Sequence, residues 1–493
     1  MQPDRATATR SLFQHWVSRR RFLATAGGAG ALALLTACGG ATAPATPTAA
    51  PAKPAPEPTK PSAPAASPAA SPGASASPAS SPATAGPATA FTYPNLRGVT
   101  LSVLQWSNTV PELDPFFKKQ IEEDFMKNTG AVVNIEYINQ NDVATKIAAV
   151  VQSGSGPDVI MQAHNWAHLY QDNLVDVSDV VEDVKKITGE FYPQVEAQCK
   201  VNGKYLTVPH DCLGLAMVYR RSWFREAGYD QLPPTYDEYH AAGAKLKQKG
   251  HPLGQCLGHS INDPNNWCYT MMWAYGGREV DEQGKVAINS PETIAAVAEM
   301  KRAWPAAYDE TGLAWDDTSN NRAFLAEQIS ATENAASIYW AAKNQQKVSW
   351  LDDITLAPFL RGPKGQVSIG VDWYYGIPSY SKNVEAAKAF IRWTMQDSVW
   401  MPWFEVAGGF SNGVGPRQND RAPWNKVDPA LQILKTAQEN TRAIGWPGQP
   451  DRRSALALAK FIVVDMFARA VQGDSPEAAV AWAEGEYKQI YGA

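Results

Sequence analysis

Apolar side chains at Val99, Leu101 and Val103 alternate with polar ones, the period of a strand with one buried face. A polar loop, Trp106-Ser107-Asn108, follows. From Pro111 the period lengthens: Leu113, Phe116, Phe117, Ile121 and Phe125 fall on one helical face, and Gly130 stands where a helix can stop. The pattern then repeats, with a strand over 132–137, a helix over 142–151 followed by Gly154, and a third strand over 158–161. Strand and helix in alternation predict an α/β fold with a mainly parallel sheet and right-handed crossovers. Ligands of such sheets bind at the carboxyl ends of the strands, so the loops Trp106 to Asn108 and Ala163 to Trp166 are expected to face one crevice. Farther on, Thr235-Tyr236-Asp237-Glu238 reads as a capping box. Ser290-Pro291-Glu292 and Ser475-Pro476-Glu477 place Pro in the first turn of a helix.

The amino-terminal hundred residues carry no such periodicity. Ser18-Arg19-Arg20-Arg21-Phe22-Leu23 precedes a short, weakly apolar stretch that ends in Leu35-Thr36-Ala37-Cys38. The order resembles a twin-arginine export signal followed by a bacterial lipobox, in which Cys38 becomes the lipidated first residue. Between Ala41 and Ala90, 45 of 50 residues are Ala, Pro, Ser or Thr, and 13 are Pro, so nothing there can build a core. At ~3.1 Å per residue such a segment can hold a domain up to ~150 Å from a lipid. Residues 1–38 are therefore expected to be the signal and 39–95 a disordered tether. The nearly 400 residues from Leu96 exceed the size at which one core keeps growing, and two lobes are expected.

The net charge of −5 becomes −9 once residues 1–37, with five Arg against one Asp, are set aside, which excludes a basic nucleic-acid surface. No later run has the ~18 to 20 apolar residues of a membrane span, so any membrane link is expected through Cys38.

Gly154-Ser155-Gly156-Pro157-Asp158-Val159-Ile160, Ala163-His164-Asn165-Trp166 and Leu174-Val175-Asp176-Val177 resemble the opening half of the first lobe in bacterial extracellular solute-binding proteins of family 1, the maltose-binding-protein-like group. Gly203-Lys204-Tyr205, Val208-Pro209 and Val218-Tyr219 resemble that family's crossing strand. Pro233 to Glu238 resembles its next helix entry, and Ile377-Pro378, Ser381-Lys382-Asn383 and Glu385-Ala386-Ala387 its return segment. The resemblance covers nearly all of the folded region. It implies a two-lobed periplasmic-binding-protein fold of type II, each lobe a mainly parallel sheet flanked by helices and discontinuous in sequence. Lobe 1 would take 96–210 and 371–410, lobe 2 would take 211–370 and 411–493, and the chain would cross near Pro209 to Leu213, Gly365 to Val371 and Gly408 to Gly413. It further implies a monomer without cofactor, metal or catalytic residues, held extracytoplasmically on the cell membrane. Such a protein traps a small solute, expected to be a carbohydrate, and hands it to the permease of an ABC transporter. The chain has no Gly-x-x-x-x-Gly-Lys-Ser/Thr, so ATP hydrolysis falls to another subunit.

Seventeen Trp is a high count, and several stand in polar loops. Indole covers the apolar face of a sugar ring while amides and carboxylates satisfy its hydroxyls. Trp106, Trp166, Trp267, Trp373 and Trp446 fit a cleft by position, with lobe packing as the competing role. His164 and Asn165 occupy a ligand-contacting loop of the family, in which Asn165-Trp166 replaces a charged pair. Asp211 falls near a carboxylate position after the crossing strand, with a hinge turn as its alternative. Asn334 aligns with a polar turn whose following aromatic is here replaced by Ser337. Trp373-Tyr374 begins the return segment. With Ser107 and Asn108 these complete the expected ligand set. Cys199, Cys212, Cys256 and Cys268 could pair 199 with 212 and 256 with 268, or remain four thiols.

Other readings are weaker. His164 and His168 are spaced as in a zinc helix, but the glutamate base and a third ligand are missing. Asp316-Asp317 and Asp352-Asp353 could serve a glycosidase or lyase, yet adjacent carboxylates diverge on an element's surface. A sensory binding module would use the same cleft as an importer.

Overall fold

The computed structural model describes residues 91–492; the expected export signal, Cys38 and residues 39–90 of the expected tether lie outside the described residues. β1 (Thr100–Trp106) lies between β2 (Val132–Ile138) and β3 (Val159–Ala163), parallel to both. β2 is the sheet edge and keeps the alternation of half-covered and exposed residues, whereas interior β3 is buried throughout. The intervening helices form as the periodicity predicts. α1 (Leu113–Gln120) continues through a π turn over Ile121–Met126 and ends at Gly130, whose φ is 78°. It buries Leu113, Phe117, Ile121 and Phe125, while Phe116 stays half-buried. α2 (Gln140–Ser153) starts two residues before the expected Asp142, because the Asn139 side chain accepts the Asn141 N–H and caps it.

Sequence and structure part company at the lobe crossings. β4 (Thr207–Leu213) and β5 (Ala216–Arg220) are separated only by Gly214-Leu215, and β5 already belongs to a second sheet. Gly214 is required there: a Cβ would fall 2.7 Å from Asn412 Oδ1 and 3.1 Å from Leu434 Cβ. β6 (Ala331–Asn334) and β7 (Ile354–Ala357) flank β5, both antiparallel to it. β8 (Val371–Gly376) returns between β3 and β4, antiparallel to both, and β9 (Ser411–Asn412) closes the first sheet against β4. The orders are β9-β4-β8-β3-β1-β2 and β6-β5-β7.

The result is a bilobed, discontinuous α/β fold, but with a mixed first sheet and an antiparallel second one in place of mainly parallel sheets. The reversed strands are those at the crossings: β5 entering the second lobe, and β8 and β9 in the first sheet. Asp211 to Leu213 and Ser411-Asn412, expected in lobe 2, pair within the first sheet. Phe91 to Asn95, expected in the tether, are described and fold onto lobe 1: the Tyr93 hydroxyl donates to Asp124 Oδ1 at 2.7 Å, and Trp393 Nε1 donates to the other carboxylate oxygen.

Three further helices position the cleft: α3 (Trp166–Leu169), α4 (Asp263–Tyr275) and α5 (Arg452–Ala459). The three sequence-read caps all form, with Thr235, Ser290 and Ser475 accepting from Glu238, Thr293 and Ala478 N–H. All four described cysteines are buried free thiols, so the 199–212 and 256–268 pairings are not made. Cys199 Sγ is engaged with the Val195 carbonyl of its own helix, and Cys256 Sγ with the Trp315 carbonyl.

Candidate ligand-binding cleft

Trp106 ends β1 and Trp373 lies on β8. β3 runs between those strands, yet the two indoles stack over its end, centroids 4.3 Å apart and planes 10° from parallel. Both are nearly fully buried, and neither indole N–H has an acceptor, which costs roughly 1–3 kcal/mol for each donor left unpaired. Ser107 and Asn108 continue the loop, but Asn108 Nδ2 donates to Asp114 Oδ1 at 2.6 Å, so this amide serves the first turn of α1.

β3 ends at Ala163, and His164 turns the chain with φ 49°, a left-handed conformation that costs a residue bearing Cβ. The turn carries the imidazole away from its own sheet. The Ile261 and Gly370 carbonyls and the Asn262 side chain surround the ring, although neither ring nitrogen completes a well-formed hydrogen bond. Burial pushes this imidazole down to about 4. Asn165 Nδ2 donates to Ser454 Oγ at 3.1 Å, across the seam to α5, while its Oδ1 stays unpartnered. Trp166 opens α3, which packs on α5. Arg452 Nη1 meets Asp172 Oδ2 at 2.7 Å, and Asn141 Nδ2 donates to Asp316 Oδ2 at 3.4 Å. The lobes therefore touch on both sides of the Trp106–His164 wall.

The facing wall is the N-terminus of α4. Asp317 anchors it, accepting from Ser260 Oγ (2.6 Å), the Asn262 and Asp263 backbone N–H groups (3.1 and 2.9 Å) and Asn262 Nδ2 (3.1 Å). A carboxylate there satisfies orphan N–H groups and opposes the positive end of the helix dipole. Asn262, Asp263, Asn265 and Asn266 follow in one polar run, each with a buried oxygen that has no donor. From sequence, Asp263-Pro264-Asn265-Asn266 read as turn residues beside Trp267, and none of the four polar residues entered the expected ligand set. Their signal was a run of amides and an acid leading into a helix that is otherwise wholly buried.

The remaining expected residues lie elsewhere. Trp267 is a core residue of the second lobe, buried among Tyr236, Tyr239, Tyr308 and Phe359 behind the wall rather than at the seam. Asp211 accepts from Ser411 Oγ at 2.7 Å and contacts His210 Nδ1 at 2.9 Å, which engages it within the sheet at the crossing. Asn334 accepts from Ser337 Oγ (2.7 Å) and the Ile338 N–H, capping the short helix that follows. The Tyr374 hydroxyl donates to Asp372 Oδ2 at 3.2 Å inside the sheet. Trp446 rests edge-on against Trp273, with the Arg278 and Arg442 guanidiniums each 5.8 Å from its ring. A separate concavity of about 680 Å³ on the second lobe, lined by Tyr229, Pro233, Pro234, Phe359 and Arg361 among others, shares no residue with this seam. Among the described residues no three His, Cys, Asp or Glu side chains are grouped to hold a metal ion, and His168 Nε2 is instead 2.9 Å from the Ala197 carbonyl.

Comparison with known proteins follows the same lines. The chain is 22% identical over 288 residues to a probable amino-acid ABC transporter periplasmic-binding protein of Sinorhizobium fredii, an overlap of 55% of this chain and 64% of that one. It spans about half to two thirds of the length of the first curated relatives it matches. Among solved structures it resembles a sugar transporter protein of Arthrobacter chlorophenolicus with bound laminaribiose (TM-score 0.69, 17% identity, 79% of this chain and 99% of that one). It also resembles the maltose-bound MalE3 of T. maritima (TM-score 0.67, 20% identity, 80% and 100%). These likenesses are of fold. The sequence profile of the bacterial extracellular solute-binding proteins matches residues 108–397, more than half of the chain, and the chain belongs to that family of non-catalytic binding proteins.

Proposed function

We propose that the chain binds a small polar solute, a mono- or oligosaccharide, between its lobes and delivers it to the permease of an ABC importer. The observation that carries this reading is the stacked pair Trp106–Trp373 with two unpaired indole N–H donors, on the first-lobe wall whose His164 meets Asn262 at the acceptor-rich start of α4. A flat apolar surface beside hydrogen-bonding groups of both kinds suits a sugar, whose ring faces are apolar and whose edges carry hydroxyls. The laminaribiose and maltose bound by structures of similar fold support the same solute class. Trp106, Ser107, His164, Asn165 and Trp166 serve on the first lobe, with Trp373 behind Trp106. Asn262 and Asp263 serve on the second.

The lobes, on this reading, rotate about the three crossings. Contacts made only on closure, such as Asn165 with Ser454, favour the closed form once solute is present. The order β2-β1-β3-β8-β4 of the first sheet supports the type II assignment. The Arg-Arg signal and lipobox support export from the cytoplasm and anchoring through Cys38, and the chain is read as a monomer from its family resemblance. Thermal-shift screening of the full chain against a sugar library, followed by calorimetry, tests the reading. At least one saccharide should raise the melting midpoint and be recovered unaltered; a library without a single stabilising sugar, or recovery of cleaved products, refutes it.

A further inference from the structure

Three carboxylates lie in the second-lobe wall with no cationic side chain against them among the described residues. Asp263 opens α4, Asp317 stands in the loop preceding the helix Ser319–Leu325, and Glu333 lies on β6; they are 8%, 6% and 0% exposed. Asp317 is fully engaged by the donors at the start of α4. The other two are not. Asp263 Oδ2 and both carboxylate oxygens of Glu333 make no hydrogen bond, and the charge of Glu333 bears directly on Asp263. An ionised carboxylate in such a place is strongly unfavourable unless a cation or donors accompany it. Burial accordingly raises both, Glu333 to about 8.

The amides around them make an independent observation. Gln255 and Asn266, each 1% exposed, flank the Glu333 carboxylate, yet both polar atoms of the Gln255 amide and the Asn266 oxygen are without partners. With the Asn262 and Asn265 oxygens, the wall collects buried acceptors that no donor engages, and the Gln255 Nε2 donor beside Glu333 is itself unengaged. It also faces the cleft. Asn262, next to Asp263, meets His164 of the first lobe, and Asp316, next to Asp317, accepts from Asn141. The partner that fits is a cation rich in N–H donors. A bare metal ion fits less well, because no three acidic or imidazole ligands converge among the described residues. A protonated amine brings one positive charge and up to three donors, matching two carboxylates and their amide neighbours.

We infer that the solute carries a protonated amine, which lodges between Asp263 and Glu333, so that the saccharides bound are amino sugars or amine-bearing oligosaccharides. The inference rests on the saccharide reading above but can be separated from it. Glucosamine and its short β-1,4-linked oligomers, their N-acetylated forms, the matching neutral gluco-oligosaccharides, and ethanolamine as an amine without a sugar ring are titrated calorimetrically into the full chain. The amine-bearing sugars should bind at least tenfold more tightly than their N-acetylated and neutral counterparts, and Glu333→Gln should shrink that ratio to threefold or less. Without solute, Glu333→Gln should raise the melting midpoint, because it replaces a buried carboxyl that can ionise only at a cost with an amide that stays neutral; Asp263→Asn is the second variant with the same two readouts. Neutral sugars binding as tightly as amines, a preference that survives Glu333→Gln, or no amine binding at all overturns the inference. Ethanolamine binding that Glu333→Gln weakens, with no sugar bound, sustains the amine site and refutes the saccharide reading instead.

Discussion

The first-lobe wall of the cleft is carried by strand ends and is aromatic, with two indole N–H groups lacking acceptors; the second-lobe wall is carried by a helix N-terminus and is rich in acceptors lacking donors. The difference follows from what each element can present. A strand ending in a sheet interior lets Trp106 and Trp373 reach across a neighbour and stack. A helix start places consecutive polar side chains around its first turn, where Asp317 holds the backbone. Neither wall alone offers a solute both an apolar face and a complete set of polar partners, so an arrangement that closes only around a ligand gains from both. The second lobe is also rich in aromatic side chains, but they lie behind its wall, around Trp267.

The sharpest test of that contrast compares two tryptophans. Trp267→Ala opens a cavity in a closely packed core and should cost about 3–5 kcal/mol of stability, read as a lower urea midpoint at unchanged slope. Solute affinity of the protein that remains folded should hardly move. Trp106→Ala also removes a buried ring, but in addition it should weaken solute binding by ~1–3 kcal/mol by calorimetry. Equal solute affinities for the two variants would mean that the first-lobe wall does not touch the ligand.

The contrast explains what could be read in advance. The βαβαβ opening was legible because Leu101, Val103, Leu113, Phe117, Ile121 and Phe125 each bury on the face their spacing dictates. Loops after β1 and β3 could be assigned to the crevice because strand direction alone puts them there. Trp267 misled because a Trp beside Asp-Pro-Asn-Asn looks like a loop residue, whereas that run is the first turn of α4 and the indole points inward. Strand reversal at β5 and β8 left no local trace, since a buried strand reads the same in either direction. Glu333 was invisible for a related reason: one acid between Thr332 and Asn334 signals exposure, and only pairing with β5 under α4 buries it.

A smaller effect should come from His164. In the closed arrangement its pKa is pushed down to about 4, while an imidazole freed by opening returns toward 6.5. The sign is therefore fixed. Protons bind the open form more tightly, so closure is at full strength above about 6.5 and is lost as pH falls from there toward 4. Solute affinity should drop roughly tenfold between pH 7.5 and pH 5.5, the ratio that a one-proton linkage with these two values gives. His164→Gln should flatten the profile in that window. An unchanged slope in this variant would assign the pH dependence to another group.

The smallest effect belongs to the charged contact at the rim. Arg452 and Asp172 meet at 2.7 Å across the seam, but their side chains are 49% and 67% exposed. Water and salt screen such a pair, and holding two flexible side chains together costs entropy, so it is worth about 0–1 kcal/mol. Asp172→Asn should thus weaken solute binding by less than about fivefold in low salt and by almost nothing in 0.5 M NaCl. The Asn165–Ser454 bond sits in the same seam but is buried and uncharged, so Ser454→Ala should show a loss that salt does not alter. A salt-insensitive loss in Asp172→Asn would mean that the closed lobes bury this ion pair, and that the second wall swings farther over the first than the Trp106–His164 contacts require.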